Sequence, residues 1–152
     1  MNLTPLLHAL HQAENALAQH LLEVAGRHRA EHEVHHVARD LAGWSRRHAE
    51  ALAEATGSGP DGHARRAPGD CHPNPVLEAE AGLRLLRDLR QLHLHAAAVS
   101  VDWELLAQAA QAKRRPELLR LAQQCHPDTL RQLRWANAQL KVLSPQLLTA
   151  TA

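Results

Sequence analysis

Residues Thr56-Gly-Ser-Gly-Pro-Asp-Gly-His-Ala-Arg-Arg-Ala-Pro-Gly-Asp-Cys-His-Pro-Asn-Pro75 cut the chain in two. The stretch is dense in glycine and proline, which free or fix φ, and it has no apolar periodicity, so it predicts a long loop. On either side the sequence is Ala, Leu, His and Arg in a helical rhythm, and the whole chain lacks Phe and Tyr. The pattern predicts a helical hairpin over 3–56, the loop over 57–75 and a second hairpin over 76–144. Together they make a single domain, 1–152: an all-α, antiparallel four-helix bundle. With 45% of 152 residues apolar, the chain can supply one core for four medium helices.

Thr4-Pro5 opens helix 1, with Thr4 as N-cap and Pro5 at the first helical position, and Gly26 ends it. Leu3, Leu7, Leu10, Leu17, Leu21 and Val24 share its apolar stripe. Helix 2, from Arg27 to Thr56, repeats the stripe through Val34, Val37, Leu41, Trp44, His48 and Leu52. Helix 3 runs from Val76 to Ala112 through Leu85, Leu89, Leu92, Ala96, Val99, Trp103 and Leu106, and Arg115-Pro116 breaks the path. Helix 4 starts near Pro116 and carries Leu118, Ala122, Cys125, Thr129, Leu133, Ala136, Leu140 and Leu143. Pro127 is expected to kink or divide it, and Ser144-Pro145 to end it. A helix 3 of about 37 residues would be roughly 55 Å long and overhang helix 1, leaving Trp103, Leu105 and Leu106 uncovered, so the chain is expected to be a homo-oligomer.

Seventeen Lys and Arg against sixteen Asp and Glu leave a formal charge of +1, which argues against a chain built to neutralise phosphates, so no nucleic-acid partner is expected. No apolar run is long enough for a membrane span, and the start lacks a basic, apolar leader, so the expected setting is cytoplasmic. Cys71 and Cys125 make no disulfide framework, which suits a reducing compartment. No nucleophile elbow, phosphate loop or dinucleotide fingerprint is present. These exclusions leave a non-enzymatic helical-bundle scaffold or interaction protein, self-associating or bound to a protein partner, with no cofactor.

Thirteen histidines are the main chemical signal. Within Arg27-His-Arg-Ala-Glu-His-Glu-Val-His-His36, the pairs His28/His32 and His32/His36 lie four apart, a spacing that can chelate a transition metal from one helix face. The same residues fall opposite Val34 and Leu41, which reads as a solvated His/Arg face. Glu14 is more telling, because it falls among Leu10, Leu17 and Leu21 on the inward stripe. A buried carboxylate must be paired, protonated or bound to a cation. With the hairpin turning near Gly26, Glu14 is expected level with Arg39 to Leu41, reaching Arg39 or Arg47 at the rim. His48 is expected as a core histidine bonded to a neighbour, in a different place from Glu14. Cys-His-Pro occurs at 71–73 and 125–127 without the close Cys-x-x-Cys spacing of a zinc site, and Cys125 reads as a small buried residue of the helix 4 stripe.

In architecture the chain resembles the ferritin-like and rubrerythrin-like bundles: two hairpins, a long connection and an inward carboxylate on helix 1. That resemblance implies a metal shell of one Glu from each of two helices and Glu-x-x-His from each of the others. It places Glu14 as the first carboxylate, Glu33-x-x-His36 as the first pair, and Glu78 or Glu80 as the third-helix ligand. In helix 4 the matching stretch is Gln123-Gln-Cys-His126, without the Glu. The alternative function it implies is a ferritin-like metal-binding protein holding iron or zinc through Glu14, Glu33, His36 and Glu78.

Overall fold

The computed structural model describes residues 2–57 and 72–150. Its elements are α1 (Thr4–Arg27), α2 (His32–Thr56), the short α3 (Pro75–Ala79), a 3-10 turn (Ala81–Leu83), α4 (Arg84–Ala112) and α5 (Pro116–Thr149). No strand occurs among the described residues, and no helix there is long and apolar enough to cross a membrane. Most of the loop predicted over 57–75, with Cys71 of the first Cys-His-Pro, lies outside the described residues.

The apolar stripes are why the long helices meet as they do. Leu10, Leu17 and Val24 of α1, Val34 and Leu52 of α2, Leu89, Trp103 and Leu106 of α4, and Leu118 and Ala122 of α5 are buried in one core cluster. Helix α1 packs against α2 and α4, and α5 packs against α4 and α2. Along α1 and α2, His35 meets Ala25 and His48 meets Glu14. Along α4 and α5, His93 meets Leu133 and Ser100 meets His126. In each pair the numbering rises on one helix as it falls on the other.

Several sequence expectations are corrected. Gly26 lies inside α1, which continues to Arg27, and the connection is His28 to Glu31, so Arg27–Glu31 do not belong to α2. His28 closes α1 by giving its amide to Val24 O at 3.1 Å, and the His35 ring donates to Ala25 O at 2.8 Å, satisfying a carbonyl at the helix end. At the other end Asn2, not Thr4, supplies the capping oxygen: its Oδ1 accepts the Thr4 amide at 3.0 Å.

The expected helix 3 is interrupted. Asn74 caps α3 through the Val76 amide, and Glu80 then takes an extended conformation before α4 begins at Arg84. The overhang argument therefore fails for Trp103 and Leu106, both fully buried within the chain, while Leu105 is exposed as expected.

Helix α5 is not divided at Pro127 and does not stop at Ser144-Pro145. Each proline removes one rung of the helix ladder. Pro127 and Pro145 are exposed, as are Gln123 and Lys141 one turn before them, so water can reach the carbonyls that lose their amides.

Candidate functional site

Glu14 comes from the middle of α1, on the inward stripe that the leucine spacing dictates, and is fully buried. Its Oε2 meets His48 Nδ1, from α2, and accepts the Trp103 indole N–H, from α4, at 3.3 Å. The other ring nitrogen of His48 lies 3.0 Å from Asp128 Oδ2 on α5. One polar node thus draws a side chain from each of the four long helices. Trp103 also sets its ring edge-on to His48, with centroids 6.1 Å apart.

The geometry favours the charged ring. Ionised carboxylates only accept, so two carboxylates on the two ring nitrogens call for a ring that donates twice, the imidazolium. Burial pulls the His48 pKa down, but hydrogen bonds and charge from Glu14 and Asp128 outweigh it, and the net shift is upward. Burial, reinforced by the charges of Glu14 and Asp128, pushes the neighbouring Cys125 thiol up to about 12, so it stays protonated and unreactive.

The proximity of Glu14 and His48 overturns the expectation that they would sit apart and that Glu14 would reach Arg39 or Arg47. The cause is the turn. Moving it from Gly26 to His28–Glu31 shifts the pairing by about two helical turns, which keeps every stripe facing inward but changes its partner.

A second node closes the other end of α1. Asp88 of α4 is fully buried, with Oδ2 3.0 Å from Arg27 Nε and 2.7 Å from His28 Nε2, and Oδ1 3.1 Å from Arg87 Nη2. Burial would raise its pKa, but the hydrogen bonds from His28, Arg27 and Arg87 hold it below the usual carboxylate range. Between the nodes, His20 and His95 are buried with their Nδ1 atoms 2.9 Å apart, which requires one ring to donate and the other to accept. Burial lowers both, His95 to about 4 with help from His20.

Polar bonds also join α5 to α2. Gln132 donates to Leu41 O and Ser45 Oγ, each at 2.9 Å, while its own Oε1 is buried without a partner.

The ligand set suggested from sequence is not brought together. Glu14 is at the interior node. Glu33 is exposed and accepts from Gln139 Nε2 at 3.1 Å, His36 is exposed beside His32, and exposed Glu78 lies 3.6 Å from Arg87 Nη1. Glu80 is exposed in the break before α4, and His126 bonds Ser100. The His28/His32 pair is not on one helix, since His28 belongs to the Asp88 node. His32 and His36 do form an exposed pair. Among the described residues, no group of three or more His, Cys, Asp or Glu side chains is disposed to hold a metal ion.

In the pattern the resemblance implies, the pair nearest Glu14 is Ser45-x-x-His48, with serine in the glutamate's place and the Trp103 indole on α4. The residues at the node therefore do not fit a two-metal carboxylate shell. Compared with known proteins, the chain matches no family model, no curated protein and no solved structure.

Sequence reasoning missed Asp88, His20 and His95. Each lies at three- or four-residue spacing from stripe leucines or valines, the same signal that exposed Glu14.

Proposed function

We propose that the chain is an antiparallel four-helix bundle that acts as a non-enzymatic scaffold or interaction protein and associates with copies of itself. The observation that carries this reading is the Glu14–His48–Asp128 node with Trp103, in which each long helix contributes a bonding partner. Apolar stripes alone tolerate sliding by a heptad, whereas a buried charge that is satisfied in one alignment only penalises every other register. The interior polar groups thus serve to fix the bundle, and the outer helix faces are left for recognition. Exposed apolar side chains at Leu94, Val101 and Leu105 on α4 favour such a role. Sedimentation velocity of the full chain over a concentration series tests it: a mass rising toward twice the monomer is expected, and an unchanging monomer would count against it.

A second reading has one specific observation in its favour. Glu14 Oε1 is buried and without a partner beside His48, a free oxygen of the kind a single iron or zinc ion would take. Elemental analysis of full-length protein purified without chelator decides it. Stoichiometric metal that falls in Glu14→Gln supports this reading, and its absence from the wild type removes it.

A further inference from the structure

The first turns of α2 carry the exposed part of the histidine run. His32 and His36 lie one helical turn apart, with ring centroids separated by 6.2 Å and planes 22° from parallel. His35 sits edge-on to His36, but its Nδ1 donates to Ala25 O, which ties that ring to the end of α1. The ring nitrogens of His32 and His36 make no hydrogen bond or ion pair among the described residues.

Two open imidazoles on successive turns form a chelating pair. A helix holds the Cβ atoms of such a pair ~5–6 Å apart, and two nitrogens bound to one ion at ~2.1 Å stand ~3 Å from each other. From their present separation the rings reach that spacing by side-chain rotation alone, which exposed residues undergo rapidly. No backbone movement is needed. His8 and His11 on α1, three apart, are a poorer pair, because His11 Nε2 meets the Asn15 amide nitrogen at 3.4 Å.

The donors select the ion. Imidazole nitrogen suits Cu2+, Ni2+ and Zn2+, whereas Ca2+ and Mg2+ require oxygen. A structural zinc site takes four protein ligands, and this pair offers two. Two adjacent nitrogens with water elsewhere match the tetragonal N,O coordination of Cu2+, which also heads the affinity order of the divalent ions. The dipole at the start of α2 opposes a cation, but over residues 28–40 Glu31, Glu33 and Asp40 outnumber Arg29 and Arg39 and offset it.

We propose that His32 and His36 chelate one copper(II) ion on the outer face of α2, with water filling its remaining positions. The site is separate from Glu14, which is buried at the interior node, and does not depend on self-association. Only the folded helix holds the two rings at chelating distance, so the ion stabilises the native chain.

Copper titration of the full-length chain tests this. Cys71→Ser is introduced so that its thiol neither binds nor reduces the ion; the buried Cys125 thiol stays protonated. At about pH 7.5, where imidazole is free to bind, calorimetry should show one tightest equivalent. Its electron paramagnetic resonance should show two equatorial nitrogens, and the melting temperature should rise by a few degrees. His32→Gln and His36→Gln, both on the exposed face, should each weaken that site about ten-fold or more by removing one arm of the chelate, and should abolish the thermal shift. His8→Gln and Glu14→Gln should leave the tightest site unchanged. A tightest site that persists in the His32 and His36 variants, or that is lost in Glu14→Gln instead, overturns the proposal. So does a parent that binds copper no more tightly than the double variant.

Discussion

His48 and Glu14 are 34 positions apart and share a buried hydrogen bond, with the far side of the same ring held by Asp128. Removing the Glu14 charge would leave the imidazolium with one partly exposed counter-charge, Asp128. Glu14→Gln keeps the shape but offers a weaker acceptor, and is expected to destabilise by about 2 kcal/mol, somewhat less than breaking a buried pair outright. Urea denaturation near pH 6, where His48 is charged, measures it. A neutral or stabilising result would mean that the pair contributes nothing net.

The histidines give stability a pH dependence with two opposite limbs. The His48 pKa is raised above its ordinary 6.5, so its contribution is complete below pH 6.5 and is lost as pH rises through the folded value. His20 and His95 are lowered. Below pH 6.5 the unfolded chain takes up protons that the folded pair refuses, down to about 4 for His95, so stability falls across that window. His95 alone accounts for about 3 kcal/mol of that loss. Stability should therefore be greatest near pH 6.5, and His95→Gln should flatten the acid limb while leaving the alkaline limb intact. Urea midpoints taken between pH 8 and about 4 check both limbs.

Asp88 and Glu33 separate buried from surface carboxylates. Asp88→Asn strips charge from a node holding Arg27, His28 and Arg87, and is expected to cost about 2 to 3 kcal/mol. Glu33→Gln on the exposed face of α2 should fall within about 0.5 kcal/mol of wild type. Equal effects in thermal melts would contradict the burial that distinguishes them.

The stripes on α1, α2, α4 and α5 were legible because apolar residues at three- and four-residue steps leave one face to bury. The inward position of Glu14 and His48 followed from the same rule. Their meeting was not legible, because it depends on where the hairpin turns, and His28-Arg-Ala-Glu31 carries no glycine or proline to mark a turn. Gly26 carries the expected signal and sits within the helix. The division expected at Pro127 and the stop expected at Pro145 failed in the same way: both prolines lie on the solvent side of α5, where a missing amide is cheap. The break at Glu80, between α3 and α4, had no apolar pattern to announce it.

That displaced turn gives a direct test in two glycines. Gly26 is within α1, and a Cβ built there meets nothing within 4 Å. Gly26→Ala should therefore stabilise by about 0.5 to 1 kcal/mol, the helix-interior difference between the two residues. Gly57 closes α2 at φ +67, in the left-handed region, with its amide on Glu54 O at 3.2 Å. Gly57→Ala, although equally free of contacts, should destabilise by about 1 kcal/mol because the Cβ meets its own carbonyl in that conformation. If the hairpin instead turned at Gly26 with a left-handed residue there, alanine at 26 would destabilise as alanine at 57 does. Denaturation midpoints of the two single variants thus report on the turn, and through it on the register that brings Glu14 to His48.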